Sequence, residues 1–304
     1  MTNTRVLPFN DDNVAEAARL ILAGEPVAVP TETVYGLAAD ATNAQAVAHI
    51  YEAKGRPAFN PLIVHVSDLA SAERIGVFSN EALELAQAHW PGPLTLVVPL
   101  REGPGIASIV TAGLPTVGIR VPAHPAMQSL LRATNKPLAA PSANASGSIS
   151  PTRAEHVLKS LGGRIPLIID AGPTERGLES TIVAATGGSL RLLRPGPVEI
   201  NAEISTGQQI EAPGQLASHY APAKPLRLNA TEATEDEFLI GFGDIDGDVN
   251  LSAASDLVEA AARLFDLLHQ ADASPKPKIA VAPVPEEGLG AAINDRLTRA
   301  AAPR

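Results

Sequence analysis

Lys54 and Arg56 are two cations separated only by Gly55, just before the apolar segment Leu62–Val66. The helical periodicity of Ala44–Ala53 and the glycine after Lys54 predict that a helix ends here and that Arg56 enters a loop. Two positive charges held close together by a tight turn are suited to binding an anion. The alternative is that Lys54 complements the helix C-terminus and Arg56 is solvated.

A loop with several hydroxyl groups is predicted directly after the strand Val27–Pro30. It carries Thr31, Thr33 and Tyr35 beside Gly36. Open α/β sheets usually bind ligands at the carboxyl ends of their strands, so this loop is a candidate binding site. The alternative is an ordinary turn with a capping threonine.

A second polar loop is predicted after the strand Leu138–Pro141. Ser142, Asn144 and Ser146 lie there among small residues. Small residues allow a ligand to approach the backbone, and these side chains offer uncharged donors and acceptors. The loop therefore suits phosphate or ribose oxygens, although a polar surface loop is the alternative.

Arg120 is predicted to share one face of the strand Thr116–Val121 with Gly118, because strand side chains alternate. With only glycine beside it, the guanidinium has open space and could clamp a carboxylate through two hydrogen bonds. The alternative is that this face is solvated. Arg194, at the end of a later predicted strand, is a further cation, and Ser180 offers a further hydroxyl.

Short β-branched runs alternate with helical stretches from Met1 to about Ile204, as in an α/β domain. Strands are predicted at Val27–Pro30, Leu62–Val66, Leu94–Pro99, Thr116–Val121, Leu138–Pro141, Leu167–Asp170, Ser180–Ala184 and Leu190–Arg194. Helices are predicted at Val14–Leu22, Ala44–Ala53, Glu81–His89, Pro125–Ala133 and Thr152–Leu161. So many strands with fewer helices favour a mixed sheet.

A smaller α/β unit is predicted after a connector. Residues 205–224 lack sustained periodicity and contain Pro213, Gly214 and Pro222, so we expect a linker. Beyond it, strands are predicted at Leu226–Leu228, Phe238–Phe242 and Ile279–Ala282, and helices at Asp256–Gln270 and Ala291–Ala301. The predicted domains are therefore residues 1–204 and 225–304.

The composition excludes several kinds of site. The chain of 304 residues has no cysteine, so disulfides, thiolate metal sites and thiol nucleophiles are ruled out. The net charge of −10 works against broad binding of nucleic acid, which depends on many phosphate contacts. The histidines form no recognisable set of metal ligands, and no apolar run is long enough to cross a bilayer. We expect a cytoplasmic protein with no membrane contact and no metal site of its own.

Seven motifs in the first domain together resemble one family, the threonylcarbamoyl-AMP synthases. They are Pro-Thr-Glu-Thr-Val-Tyr-Gly-Leu (30–37), Lys-x-Arg (54–56), Asn-Pro-Leu-Ile-Val-His (60–65), Trp-Pro-Gly-Pro-Leu-Thr (90–95), Ala-Pro-Ser-Ala-Asn (140–144), Glu-Ser-Thr-Ile-Val (179–183) and Arg-Pro-Gly-Pro (194–197). His-Tyr-Ala-Pro (219–222) and Gly-Leu-Gly-Ala-Ala-Ile-Asn-Asp-Arg-Leu (288–297) extend the resemblance into the linker and the second domain. This is the longer form of the family, in which a YrdC-like domain precedes a small extra domain.

The resemblance implies a YrdC-like twisted mixed sheet with flanking helices, followed by a smaller Rossmann-like α/β domain. It also implies that L-threonine, bicarbonate and ATP give threonylcarbamoyl-AMP and pyrophosphate, with Mg²⁺ accompanying ATP. By motif, the threonine site would include Thr31, His65, Arg120, Ala140 and Ser180. The ATP site would include Lys54, Arg56, Asn60, Thr111, Ser142, Asn144, Ser150, Arg194 and Tyr220, of which Lys54 and Arg56 are expected to be catalytic. Tyr220 would bring the linker over the site.

Family members supply their product to a separate tRNA threonylcarbamoyl-transferase complex, which is therefore an expected partner. A weak contact with tRNA is also expected. Two other functions stay open at this point: an RNA-binding module, and a regulatory relative that binds nucleotide without catalysis. The acidic charge and the 3% aromatic content count against RNA binding.

Overall fold

Eleven strands form one mixed sheet between residues 5 and 204 of the computed structural model, which describes residues 3–205 and 210–303. The strands are β1 (Arg5–Pro8), β2 (Val27–Pro30), β3 (Tyr35–Asp40), β4 (Ile63–His65), β5 (Leu94–Pro99), β6 (Thr116–Arg120), β7 (Leu138–Ala139), β8 (Leu167–Asp170), β9 (Thr181–Ala184), β10 (Arg191–Arg194) and β11 (Glu203–Ile204). Their order across the sheet is β1-β8-β2-β3-β7-β4-β6-β5-β9-β10-β11. The sheet contains both parallel pairs, such as β4 with β6, and antiparallel pairs, such as β5 with β6, so the predicted mixed sheet is confirmed.

Six helices of the first domain flank this sheet in the described part of the chain. They are α1 (Asp11–Leu22), α2 (Ala44–Lys54), α3 (Leu69–Glu73), α4 (Asn80–His89), α5 (Pro125–Thr134) and α6 (Ala154–Leu161). Asn43 caps the start of α2 by accepting hydrogen bonds from the backbone N–H groups of Gln45 and Ala46. Gly55 ends α2 in the left-handed conformation with φ of 60°, which a glycine adopts without strain. The predicted helix end after Lys54 is confirmed.

The helices pack on both faces of the sheet. Helices α1 and α5 cover one end of one face, where Ile21 and Met127 are buried against Val29. Helices α2, α4 and α6 cover the other face, where the core includes Ile50 and Ile119. Elsewhere, the sheet residues Ile63, Val97 and Ile182 form a small apolar cluster with Ala212, which belongs to the linker.

The segment after β2 differs from the sequence prediction. Tyr35 begins strand β3, so only residues 31–34 form the turn between β2 and β3, which pair antiparallel. The Tyr35 hydroxyl donates a 2.7 Å hydrogen bond to the Gly172 carbonyl and is therefore part of the core. A strand buried on both faces shows no alternation of apolar and polar residues, so the sequence pattern alone predicts a loop here. The sequence patterns also do not predict strands β1 and β11, helix α3 or the short strand Val249–Asn250 of the second domain.

The C-terminal domain is a four-stranded parallel sheet with the order β12-β15-β13-β14. Its elements are β12 (Leu226–Arg227), β13 (Glu237–Gly241), β14 (Val249–Asn250), α7 (Leu257–Ala273), β15 (Lys278–Val281) and α8 (Leu289–Ala301). Its core is continuous with the first domain, because Val34, Ile149 and Leu178 join the apolar cluster around Phe265. The domain boundaries at residues 204 and 225 stay a prediction, and residues 206–209 of the predicted linker lie outside the described residues. No helix of the described residues is long and apolar enough to cross a membrane.

Candidate active site

One cavity collects most of the residues that the sequence predicts for binding. All five residues predicted for threonine line it: Thr31, His65, Arg120, Ala140 and Ser180. Four of the nine residues predicted for ATP line the same cavity: Arg56, Ser142, Arg194 and Tyr220. The other five do not line it: Lys54, Asn60, Thr111, Asn144 and Ser150.

Arg120, the last residue of β6, is fixed by three hydrogen bonds. Its Nη2 lies 2.6 Å from a carboxylate oxygen of Glu32, its Nη1 donates to the Thr33 hydroxyl at 2.9 Å, and its Nε donates to the Gly92 carbonyl at 3.2 Å. The guanidinium has five N–H donors, so these bonds leave one N–H on each terminal nitrogen. Arg120 can therefore still hold a carboxylate, and that role stays a prediction.

Glu32 is a functional candidate that the sequence reasoning missed. Its second oxygen accepts the backbone N–H of Ala123 at 3.1 Å, so both oxygens have partners. Burial raises the pKa of Glu32, but Arg120 outweighs this and holds the pKa below its usual value. The carboxylate is thus charged and orients Arg120. The only signal in the sequence is an acidic residue between the hydroxyl-bearing Thr31 and Thr33.

His65, the last residue of β4, pairs with Arg120 in register. Its ring is buried, and its Nδ1 has no hydrogen-bond partner among the described residues. Burial first, and then the positive charge of Arg120, lower the pKa of His65 to about 3. A neutral imidazole with an unused nitrogen therefore borders the cavity.

Two hydroxyl groups complete the predicted threonine side. The Thr31 hydroxyl lies 2.8 Å from that of Thr33 and 2.7 Å from the Val34 carbonyl. The Ser180 hydroxyl lies 2.8 Å from that of Thr95 and accepts a 3.1 Å hydrogen bond from Arg194. Both are buried and held by neighbours, so their positions are fixed before any ligand enters.

Lys54 is buried and reaches the polar loop after β7 rather than the cavity. Its Nζ donates to the Ser142 carbonyl at 2.6 Å and to the Asn144 carbonyl at 2.5 Å. The Lys54 carbonyl in turn accepts the N–H of Ser146. Burial and the nearby Arg56 charge lower the pKa of Lys54 well below its usual value. Lys54 therefore ties this loop to the end of α2, and its contact with phosphate stays a prediction.

Arg56 borders the cavity and is held by the backbone of its own loop. It donates to the Asn60 carbonyl at 3.2 Å and to the Pro61 carbonyl at 2.9 Å. Burial lowers its pKa to about 10, so it is protonated at neutral pH. The side-chain oxygens of Asn60, in the same loop, and of Asn144, in the loop after β7, are buried without hydrogen-bond partners among the described residues.

Strand β10 and the linker also contribute to the cavity wall. Arg194 donates to the Ser180 carbonyl at 3.0 Å and is buried. Pro213, His219 and Tyr220 of the linker line the cavity, and Tyr220 adopts a φ of 61°. Closure of the linker over the site during a reaction stays a prediction.

The remaining predicted residues contact protein groups. Ser150 donates its hydroxyl to Glu179, which lines the cavity and was also missed by the sequence reasoning. Thr111 donates to the Ser108 carbonyl at 3.1 Å and lines a neighbouring cavity that it shares with Ala212 and Pro213. Within residues 3–205 and 210–303, no group of three or more His, Asp or Glu side chains is arranged to hold a metal ion.

Both domains match models of known protein families. Residues 19–196 match the model of the Sua5, YciO and YrdC proteins, described as "Telomere recombination". Residues 178–302 match "Threonylcarbamoyl-AMP synthase, C-terminal domain". The fold of the first domain is also that of Escherichia coli YciO, with a TM-score of 0.59, 20% identity and coverage of 66% of this chain and 98% of that chain.

Relatives match along nearly the full length. The threonylcarbamoyl-AMP synthase of Bacillus subtilis is 39% identical over 99% of this chain and 96% of its own length. The threonylcarbamoyl-AMP synthase of Pyrococcus abyssi is 40% identical over 93% of this chain and 92% of its own. The crystal structure of Pyrococcus abyssi Sua5 complexed with L-threonine superposes with a TM-score of 0.90 at 36% identity, covering 99% of this chain and 98% of that chain. This chain belongs to the threonylcarbamoyl-AMP synthase family.

Proposed function

We propose that this protein is an L-threonylcarbamoyladenylate synthase. It uses L-threonine, bicarbonate and ATP to form threonylcarbamoyl-AMP and pyrophosphate, for the N6-threonylcarbamoyladenosine modification of tRNA. The observation that carries the proposal is that one cavity is lined both by the residues predicted for threonine and by the arginines predicted for ATP. The names of the relatives, and a similar structure described as complexed with L-threonine, support the same reaction.

The chemical step requires alignment of two anions. The amine of threonine and bicarbonate give a carbamate and water, and a carbamate oxygen then attacks the α-phosphorus of ATP. A new P–O bond forms, and the bond from the α-phosphorus to the bridging oxygen breaks to release pyrophosphate. Since both partners are negatively charged, fixed cations are the main contribution that the protein can make.

The cations of the cavity divide between the two substrates in this proposal. Arg120 holds the threonine carboxylate, while Arg56 and Arg194 oppose the phosphates. All three are buried and already bonded to backbone or side-chain oxygens, so little reorientation is needed when substrates bind. Removing one such preorganised donor costs about 3 kcal/mol in the transition state.

Mg²⁺ enters with ATP in this proposal rather than through a site built by the protein. Among the described residues, Glu179 lines the cavity and Glu32 contacts Arg120 at its border, and each of these carboxylates is paired with an arginine. Side chains committed in this way are poor ligands for a hard cation, which prefers free carboxylates, water and phosphate oxygens. The phosphates of ATP are therefore the expected ligands.

Burial of the cations counts against an RNA-binding role. Lys54, Arg56, Arg120 and Arg194 are each no more than 9% exposed. A surface that binds tRNA nonspecifically would need cations that reach the phosphates from outside. The proposal also includes the setting of the reaction: a cytoplasmic location, a weak contact with tRNA, and transfer of the product to a tRNA threonylcarbamoyl-transferase complex.

The proposal is tested by incubating the purified protein with ATP, Mg²⁺, bicarbonate and L-threonine. We expect pyrophosphate and threonylcarbamoyl-AMP, identified by mass spectrometry, with both depending on threonine and on bicarbonate. A parallel reaction without threonine is the control. Pyrophosphate release that does not require threonine would contradict the proposed substrate, and ATP binding without any adenylate would favour a regulatory relative.

A further inference from the structure

The C-terminal domain reaches the wall of the cavity through Arg296 of α8. Arg296 is 0% exposed, and its Nε donates to Glu179 at 2.8 Å. Glu179 lines the cavity, and its other oxygen accepts the hydroxyl of Ser150. One carboxylate therefore joins α8 to a residue predicted for ATP binding, across two domains.

Arg296 also contacts the linker. Its guanidinium carbon lies 5.2 Å from the centre of the Tyr220 ring, within the range of a cation–π interaction. The same ring lies 5.6 Å from the ring of Phe265 on α7. Tyr220 is thus held between two helices of the C-terminal domain while it lines the cavity.

A second arginine on α8 fastens the linker by its backbone. Arg299 donates to the Leu216 carbonyl at 2.7 Å, and its own carbonyl accepts the N–H of His219 at 3.2 Å. Arg299 lies one turn after Arg296, and both donate to Asp295. This turn of α8 therefore sets the position of linker residues 216–220.

The charge of Glu179 explains why an arginine is needed at position 296. Burial raises the pKa of Glu179, but Arg296 and then Arg194 outweigh this, so the carboxylate stays charged. Without Arg296, the charge of Glu179 would act on Arg194, which also lowers the pKa of Glu179 and is expected to oppose the phosphates. An uncompensated buried carboxylate would then compete with ATP for Arg194.

We propose that Arg296 is a positioning residue of the active site, which holds Glu179 and Tyr220 and neutralises Glu179 so that Arg194 is free to bind ATP phosphates. The C-terminal domain is in this way a part of the ATP site. The inference rests on the proposed function for its kinetic consequences, but the contacts themselves can be tested without substrates.

The kinetic test compares full-length Arg296→Met with Arg263→Met. Arg263 lies on α7 in an exposed pair with Glu259, so its substitution removes a charge of the same domain away from the cavity. We expect Arg296→Met to raise the KM for ATP by about tenfold or more, with a smaller change in the KM for threonine. Arg263→Met should leave both values unchanged. Equal changes of both KM values in Arg296→Met would overturn the proposal.

The double variant Arg296→Met/Glu179→Gln separates this role from simple support of the fold. With no charge left on residue 179, Arg194 has no competing partner, so the double variant should bind ATP more tightly than Arg296→Met. Arg296→Lys, which keeps a positive charge, should recover part of the loss. The single variant Glu179→Gln is measured as well. If the fold-loss of ATP affinity in the double variant equals the product of the losses in the two single variants, residues 179 and 296 act independently and the proposal is contradicted.

Hydrogen exchange of the ligand-free protein tests the contacts independently of catalysis. Arg296→Met should speed exchange in linker residues 214–222 at least about tenfold, while strands β2 and β3 keep the exchange of the unmodified protein. Circular dichroism checks that Arg296→Met is folded. If it is not folded, exchange is measured on Arg296→Lys instead. If exchange in the linker of Arg296→Met is unchanged, the proposed role of Arg296 is overturned, even when the enzyme is active. If the unmodified protein forms no adenylate, only the proposed function is contradicted.

Discussion

Arg120 and Glu32 form an ion pair that is almost completely closed to solvent, with 2.6 Å between Nη2 and Oε1 and side chains 5% and 6% exposed. The pair connects the end of β6 to the turn after β2. Removing one partner of such a pair is costly, because the other charge remains buried without compensation. The threonine side of the cavity therefore depends on a carboxylate that is itself not expected to contact substrate.

We predict that Glu32→Gln weakens the use of threonine more than the use of ATP. Gln keeps an oxygen near Arg120 but removes the charge that orients the guanidinium, so the KM for threonine should rise roughly tenfold. Steady-state release of pyrophosphate with each substrate varied in turn measures both KM values. Glu16→Gln, which opens the more exposed pair with Arg5, is the control.

The same variant should change how stability depends on pH. The pKa of Glu32 lies below its usual value of 4.5 in the folded protein, so the pair stabilises the fold fully above that pH. As the pH falls below 4.5 the contribution is lost. Unmodified protein should therefore exceed Glu32→Gln by about 3 kcal/mol in free energy of unfolding at pH 7, with a smaller difference near pH 3. A constant difference would argue against a charged Glu32.

Lys54→Ala and Arg120→Ala should affect different substrates. Arg120→Ala should mainly weaken the use of threonine, because it removes the proposed carboxylate ligand. Lys54→Ala should mainly damage the ATP step, because the Ser142 and Asn144 carbonyls lose their shared donor and the loop between them is released. The KM values for the two substrates, with hydrogen exchange of residues 140–148, measure this division. Equal effects of both variants on both substrates would refute it.

Much of the fold follows from local patterns. Apolar runs and helix ends predicted the elements around Lys54 and Arg120 to within three residues, since they depend on periodicity and on the left-handed Gly55. Strand β3 was missed because it is buried on both faces and carries no alternation. Strand β1 was missed because its partner β8 lies far along the chain, and pairing at that distance leaves no local signal.

The site was predicted less completely than the fold. Motifs identified the residues around the cavity, but they did not show that Lys54 points to backbone carbonyls or that Ser150 is bonded to Glu179. They also did not identify Glu32 and Arg296, whose roles exist only through their partners. Such ion pairs join residues 88 and 117 positions apart, so their geometry is decided by tertiary packing.

We predict that Gly177→Ala loosens the contact between the two domains. Gly177 has a φ of 68°, and an added Cβ would lie 2.4 Å from the Ala262 carbonyl oxygen on α7. Backbone strain of roughly 1 kcal/mol and overpacking of roughly 1–3 kcal/mol should add. Urea denaturation measures the loss in free energy of unfolding, and hydrogen exchange shows whether the loss is located in the C-terminal domain.

Gly172→Ala is the matched control for this prediction. Gly172 has a φ of 81°, and an added Cβ would meet nothing within 4 Å, so only the backbone strain applies. It should lose about 1 kcal/mol, and the excess in Gly177→Ala is due to contact with α7. Equal losses in the two variants would show that α7 moves aside without cost.

The stacked pair of His156 and His269 should make the domain contact sensitive to acid. The rings lie 3.8 Å apart, one on α6 and the other on α7, and the charged groups around them are Asp266, Arg153, Lys159 and Asp272. Burial lowers the pKa of His269 to about 4, and burial with the neighbouring His269 lowers that of His156 to about 3. Both rings are thus neutral in the folded protein near neutral pH.

The sign of the effect follows from where protons bind. In the unfolded chain these histidines take up protons below about pH 6.5, whereas in the folded protein they do so only near pH 4 and below, so stability falls as the pH drops through this window. The free energy of unfolding should fall between pH 7 and pH 5 by roughly 2 kcal/mol less in His269→Gln than in the unmodified protein. Urea denaturation at each pH measures this difference. His89→Gln, at the end of α4, is the control and should keep the full loss. If His269→Gln loses as much stability as the unmodified protein, the acid sensitivity arises at other groups, such as the buried His65 and His219, whose pKa values are also lowered to about 3.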